Sequence, residues 1–258
     1  SDVMADADTR SSLQGDAMTA GYNNGFFVGT ADGNWLIKLN TQIQIRWLFN
    51  HAREQSDSYG FEIRRAKLNF TGHVVDPSWQ YKVAVVSNRE AVEFQDKRLN
   101  ANVFIEDIYI NKVFDSGAYV RVGQFLAPFT REELVSSTRQ LAVERSVVNN
   151  AFTWTRTQGI MVGFQEDNWK IEAMYNQGPN NLNSSAAASI SDRQGLNVRG
   201  EILFGDESEW GLFKGFNAKA TDGKMAFLLG GAFGWYNGSG IDNVQEYGNA
   251  DASRSIAF

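Results

Sequence analysis

The sequence predicts an all-β protein whose antiparallel strands form a membrane-spanning barrel. Three observations carry this. The first is Trp35 to Trp47, WLIKLNTQIQIRW, in which Trp35, Ile37, Leu39, Thr41, Ile43, Ile45 and Trp47 alternate with Leu36, Lys38, Asn40, Gln42, Gln44 and Arg46. Strand side chains alternate between faces, so one face is apolar and the other polar. A soluble strand averages about 5–6 residues, whereas this pattern runs far enough to span a bilayer, which takes about 9–11 tilted residues. The second is a regular alternation of short turns with long connections. The third is composition: no Cys, 3 Pro, 24 Gly, 18 Phe, 7 Trp and 8 Tyr, suited to aromatic-rich strands.

Residues 1–34 are rich in Asp, Ser, Gly and Asn, show no sustained period, and read as a poorly ordered lead-in on the periplasmic side. The remainder, 35–258, reads as the N-terminal part of a barrel. After the first strand, 48–60 reads as a loop. The second strand, Phe61 to Val74, sends Ala66, Leu68, Phe70 and Val74 to one face and Arg65, Lys67, Asn69, Thr71 and His73 to the other. Val75-Asp76-Pro77-Ser78 reads as a four-residue turn. The third strand, Trp79 to Val86, places Trp79 and Tyr81 outward and Lys82 inward. In the fourth, Asn102 to Val113, Ile108 and Ile110 fit the lipid face, but Glu106 shares their parity and must sit near a rim or upset the register.

Asp115-Ser116-Gly117 turns the chain into a fifth strand, Ala118 to Phe125, with Tyr119, Arg121 and Phe125 inward. The sixth (Thr157 to Phe164) and seventh (Trp169 to Asn176) flank the tight Gln165-Glu166-Asp167-Asn168. The eighth, Leu196 to Phe204, holds Asn197, Arg199 and Glu201 inside. The ninth, Met225 to Tyr236, is apolar on both faces with small residues on one, which leaves its register open; Ser253 to Phe258 begins another strand. That makes about nine or ten strands. Connections 48–60, 87–101, 126–156 and 177–195 are long, while 75–78, 114–117 and 165–168 are short. Short periplasmic turns alternating with long external loops mark bacterial outer-membrane barrels, and a soluble sandwich has no reason to alternate so. The 205–224 connection should be short and is not.

No run approaches the ~20 apolar residues of a membrane helix. The net charge of −6 argues against a nucleic-acid partner. Trp35, Trp47, Trp79, Tyr81, Trp169 and Tyr175 are the candidate aromatic girdle at the bilayer surfaces. By parity the inward charges are Lys38, Arg46, Arg65, Lys67, Lys82, Arg121, Lys170 and Arg199 against Asp107, Glu172 and Glu201. Such a basic lining favours anions; the competing reading is that charges of both signs pair along the wall and only keep it wet. His51 and His73 lie apart, no Gly-x-Ser-x-Gly element occurs, and no group of residues has metal-ligand spacing. Neither an enzyme nor a bound metal or cofactor is expected.

The long connection at 127–156 carries Arg131, Glu132, Glu133, Arg139, Glu144 and Arg145. Thr130 is placed to cap a short helix, with Glu133 three residues on as in a capping box. From the residues alone this is equally an inward loop or a surface loop with charge pairs. Ser/Asn/Gly-rich 178–195 reads as a solvated external loop, with partner binding the less favoured alternative.

Three stretches, FEIRRAKLNFTG (61–72), DPSWQYKVAV (76–85) and YVRVGQFLAPFTREELVSSTRQLAVERS (119–146), resemble the phosphate- and polyphosphate-selective porins of Gram-negative outer membranes. Gly-Gln-Phe-x-x-Pro-Phe at Gly123 to Phe129 and Glu-Arg-Ser at 144–146 are the most specific parts, and the similarity covers about residues 25–240. The resemblance implies a sixteen-stranded homotrimeric barrel whose loop at 127–156 folds inward as a constriction, with the missing strands supplied by sequence beyond residue 258. The family often carries Lys where this chain has Leu126, which implies a weakened phosphate-favouring constriction. The expected function is a water-filled diffusion channel for small anions and other hydrophilic solutes, seated among outer-membrane lipid and lipopolysaccharide. The alternative is a structural anchor tethering the membrane to the cell wall or an external layer.

Overall fold

The computed structural model describes residues 18–51, 56–88, 103–180, 182, 194–205, 210–216, 225–237 and 254–257. Among them the protein is all-β, with its strands in one sheet whose order is the order of the chain. No helix among the described residues is long and apolar enough to cross a membrane. The chain divides into two compact units, Ser1–Ile108 and Tyr109–Phe258.

The first unit holds β1 (Met18–Tyr22), β2 (Phe26–Thr30), β3 (Leu36–Asn50), β4 (Ser58–Val74) and β5 (Asp76–Asn88); β6 (Val103–Val113) crosses the boundary. Exposure along β3 follows the expected alternation, with Ile43, Ile45, Trp47 and Phe49 exposed and Gln42, Gln44, Arg46 and Leu48 half-buried. The strands outrun the sequence reading. β3 and β4 reach 15 and 17 residues and stay paired out to Asn50 and Ser58, so the expected 48–60 loop shrinks to 51–57.

Two expectations need correction here. Part of the lead-in is ordered: β1 and β2 pair as an antiparallel hairpin around Asn24 and Gly25, both at positive φ, with Tyr22 and Phe26 edge to face at 5.4 Å. An Asn-Gly turn between aromatic residues is a hairpin signal, hidden here in a polar composition; residues 1–17 lie outside the described residues. The 75–78 turn is tighter than four residues. Val74 already pairs with Asp76, so Val75 alone reverses the chain, at φ 70°. That is the left-handed region, which a β-branched residue rarely adopts. Asp76 then binds the Ser78 amide at 2.7 Å and its hydroxyl.

β4 also holds an irregularity that parity counting misses. Gln44 faces Arg65 and Ile45 faces Ile63, which leaves Arg64 as an extra residue. A bulge of this kind resets the alternation. Arg64 and Arg65, although consecutive, are both buried, while Phe61 and Ile63 are exposed.

The second unit contains β7 (Ala118–Leu126), β8 (Arg156–Gln165), β9 (Trp169–Asn176), β10 (Gln194–Gly205), β11 (Ala226–Asn237) and β12 (Arg254–Ala257). Between β7 and β8 lie α1 (Arg131–Leu134) and α2 (Val147–Phe152); a 3-10 turn, Trp210–Phe213, follows β10. Ile160, Val162, Trp169, Ile171, Tyr175, Ile202, Phe204, Phe227 and Leu229 are exposed on the apolar face. The opposite face carries the unit's core. Phe125, Met161, Met174 and Tyr236 from the strands meet Ala127, Phe129 and Trp154 from the connection between β7 and β8.

This packing settles the register of β11. Glu201, Arg199 and Asn197 stand opposite Gly230, Ala232 and Gly234, so its small residues share their polar face. The reason is space. A Cβ on Gly234 would lie 3.1 Å from the Trp154 ring, and one on Gly195 would lie 2.9 Å from it. Glycine is kept where the loop's indole presses on the sheet.

Candidate functional site

On the polar face of the first unit, cations and carboxylates sit in pairs. Arg46 holds Glu62 at 2.5 Å, Lys67 holds Glu106 at 2.6 Å, and Lys82 holds Asp107 at 2.6 Å. Thr71 faces Lys82 across β4 and β5 and shares its parity with Lys67, so both lysines are on one face. Glu106 and Asp107 are consecutive, yet both reach lysines of that face, so the alternation breaks between them. Of the two expected fates of Glu106, the upset register is the one realised. Arg65 donates to Gln44 Oε1 at 2.9 Å, and Lys38 faces Thr71. Glu62, Glu106 and Arg64 join the polar face and were absent from the parity count. Only the bulge could have signalled Glu62 and Arg64, and bulges leave little trace in a sequence.

In the second unit Glu201 is a hub. It is 2.7 Å from Arg199, 3.0 Å from Lys170 and 4.0 Å from Arg131, and Lys170 also reaches Glu172 at 3.2 Å. Tyr119 donates its hydroxyl to Glu172 at 2.5 Å. Arg121 is different. Its guanidinium lies 4.5 Å from the centroid of Tyr109, 5.3 Å from Phe125 and 5.9 Å from Tyr119, and Nε donates to Asn111 Oδ1 at 3.4 Å. Among the described residues its partners are three rings and an amide rather than a carboxylate. Aromatic faces attract a cation without cancelling its charge, so no direct ion pair neutralises Arg121 among the described residues.

The connection at 127–156 lies on this same polar face. Arg199 Nη1 donates to the Phe129 carbonyl at 2.6 Å, and Trp154 packs at 6.0 Å from Phe129 and 6.3 Å from Tyr236. The Gly-Gln-Phe-x-x-Pro-Phe element explains the entry: Gly123 has φ 136°, and immediately after it Gln124 and Phe125 are both buried. Only glycine takes that conformation at low cost.

The expected capping box does not form. Thr130 occupies the N-cap position of α1, but its hydroxyl donates to Asn149 Oδ1 at 2.9 Å and makes no cap. The acidic pair instead joins α1 to α2. Glu132 accepts the Ser146 amide at 2.6 Å and its hydroxyl at 2.5 Å, while Glu133, buried, takes Asn149 Nδ2 at 2.9 Å and Arg145 at 3.1 Å. Arg145 also donates to the carbonyls of Glu132, Glu133 and Val135, which end α1, and the Ser146 hydroxyl caps α2 through Asn149 N at 3.0 Å. Arg145 and Ser146 are thus the fastening of the loop. Arg131 donates to the Phe213 carbonyl, and Arg139 and Glu144 are exposed.

The profile of a family described as phosphate-selective porin O and P matches residues 37–205, well over half of the 258. The chain belongs to this family. The match is narrower than the 25–240 expected from the resembling stretches, but it includes all three. A search of curated proteins gives no match. The family is one of porin-type channels, which fits the all-β sheet and points to the outer membrane. On the apolar face lie Trp47, Trp79, Trp169 and Tyr175 of the expected girdle, all exposed. Trp35 is half-buried beside the β2–β3 turn, its amide donating to Thr30 Oγ1 at 3.1 Å, and the Tyr81 hydroxyl reaches back to the Leu36 carbonyl at 3.2 Å. His73 contacts the Gly33 carbonyl at 2.8 Å and His51 contacts Asp57 at 2.5 Å, so the two belong to different loop ends. The reading of 178–195 falls mostly outside the described residues.

Proposed function

We propose that the protein forms a water-filled channel through the bacterial outer membrane that passes small hydrophilic solutes with a mild preference for anions. The single observation that supports the preference is Arg121, whose charge is held by rings and an amide. Glu62 and Glu106 offset Arg46 and Lys67, and most other cations of the polar face have a carboxylate within ion-pair distance. A paired wall stays wet but discriminates weakly; a guanidinium without a counter-charge attracts whichever anion passes. Phosphate, which gives the family its description, is a candidate solute. Leu126 in place of a lysine argues for general anion passage over tight phosphate binding.

In keeping with the family resemblance, the assembly is a homotrimer, with the small outward residues Ala66, Ala118 and Gly200 allowing close contact between subunits. The anchor alternative draws no specific support from the geometry. The test is a planar bilayer holding the full-length protein under a KCl gradient, with reversal potential read first and phosphate titrated afterwards. Chloride should permeate faster than potassium. Cation preference would overturn the reading, and block by micromolar phosphate would overturn the view of Leu126.

A further inference from the structure

The 205–224 connection breaks the alternation of short turns with long loops, and its described part shows what the extra length does. In an antiparallel sheet taken in chain order, successive connections alternate between the two ends of the strands. The link after β10 therefore starts at the same end as the short turns at 114–117 and 165–168, and Leu203 N is bound to the Asn168 carbonyl there at 2.7 Å. The loop at 127–156 starts at the opposite end. Strands β7 and β8 are 9 and 10 residues long, about 30 Å at roughly 3.3 Å per residue. Across that length the two connections meet. Trp210 Nε1 donates to the Glu166 carbonyl at 3.1 Å and its ring lies 5.9 Å from Lys170 Nζ, which fixes the start of the segment at the short-turn end. The Arg131 guanidinium then donates to the Phe213 carbonyl, and Phe216 N donates to the Arg139 carbonyl at 3.1 Å. Both connections lie over the polar face, because Arg131 is also within 4.0 Å of Glu201 there.

We propose that Trp210–Phe216 is a second constriction element, folded over the polar face from the short-turn end and latched to the inward loop by the Arg131 side chain and the Arg139 backbone. The proposal rests on the channel reading above. It recasts Arg131, expected as a charge of the constriction loop, as a positioning residue: its guanidinium is committed to a carbonyl and a carboxylate. The cation offered to solvent on the segment is Lys214, which is exposed. The channel is then narrowed from both ends at once, with Lys214 close to the path of a permeating anion.

Conductance of the full-length protein in a planar bilayer tests this. Deleting residues 210–216 should raise single-channel conductance by about twofold. Arg131→Ala should give a smaller rise with added open-channel noise, and Arg131→Lys, which can still donate to a carbonyl, should restore the quiet state. A second measurement does not depend on the deletion folding. The chain has no cysteine, so Arg139→Cys combined with Phe216→Cys introduces one possible disulfide, at a spacing that a backbone hydrogen bond brings within reach of an S–S bridge. The pair should oxidise readily, seen as protection from thiol alkylation, and the oxidised form should conduct as the unmodified protein does. Failure of the pair to cross-link, or a deletion variant that inserts and conducts no more than the unmodified protein, overturns the proposal. An unmodified protein that conducts nothing overturns the channel reading instead, and does so independently of the cross-link.

Discussion

Neutralising Arg121 should change ion selectivity, and removing a neutral ion pair should not. A unit charge acts on an ion passing about 4 Å away in water with about 1 kcal/mol. Screening over a Debye length of ~8 Å lowers this to about 0.6 kcal/mol. The effect has opposite sign for chloride and potassium, so Arg121→Gln should lower their permeability ratio by about 1.2 kcal/mol, a factor of roughly eight. The structure supplies the matched control. Lys82 and Asp107 lie 2.6 Å apart and together carry no net charge, so the double change Lys82→Gln with Asp107→Asn should leave the ratio nearly where it was. The assay is reversal potential in a planar bilayer under a KCl gradient, with trimer content checked on gels so that selectivity is compared only among assembled channels. The reasoning is refuted if Arg121→Gln leaves the ratio unchanged, or if removing the Lys82–Asp107 pair shifts it as far.

Ile43 is 71% exposed on the apolar face and paired with Ala66, so Ile43→Arg should destabilise the barrel by about 2–4 kcal/mol while Gln42→Arg is tolerated; heat-modifiable gel mobility after refolding into lipid reports both, and equal tolerance would mean the face is misassigned. Val75 turns the chain at φ 70°, so Val75→Gly or Val75→Asn should raise stability by about 1 kcal/mol, seen as a higher urea midpoint. The proposed homotrimer predicts a native mass in detergent of three subunits, and a monomer there would remove it. The Asp32 carboxyl accepts from the Thr30 hydroxyl and from the amide and side chain of Asn34, which holds it below the usual carboxylate range. Its support of the β2–β3 turn is therefore present above the ordinary value of about 3.9 and lost as pH falls through the lowered native one; a carbon-13 titration of the side chain should find the midpoint depressed.

What could be read in advance was what period two controls. Along β3, β9 and β10 each residue's side follows from its neighbour's, and the structure keeps those assignments. Reading failed wherever the backbone inserts or omits a residue. The bulge at Arg64 and the break between Glu106 and Asp107 each move side chains between faces without altering composition. The consequence for function is large, because these irregularities bring Glu62 and Glu106 onto the polar face beside Arg46 and Lys67. A lining that counts as basic by parity is largely neutralised in pairs, and the charge that supports an anion preference is chiefly that of Arg121.

The charged loop at 127–156 could not be placed from its residues for a related reason: its acids and arginines bind one another, as they would equally in a surface loop. What places it is apolar. Phe129 and Trp154 bury themselves on the polar face only because β10 and β11 present Gly195 and Gly234 beneath the indole. Gly234 was visible in the sequence as a small residue on one side of an ambiguous strand and Gly195 as the end of a long connection, but their meaning depends on a tryptophan dozens of residues away. Gly234→Val puts that dependence to the test. The added carbons would meet the Trp154 ring and the Asn197 amide, each 3.1 Å from a Cβ placed there, and overpacking of this kind costs about 1–3 kcal/mol. The loop rather than the sheet should give way, since β11 is held along its length by β10. The variant should therefore assemble with normal gel mobility but show larger, noisier conductance. A variant that fails to assemble, or that conducts as before, would mean that the indole does not hold the loop.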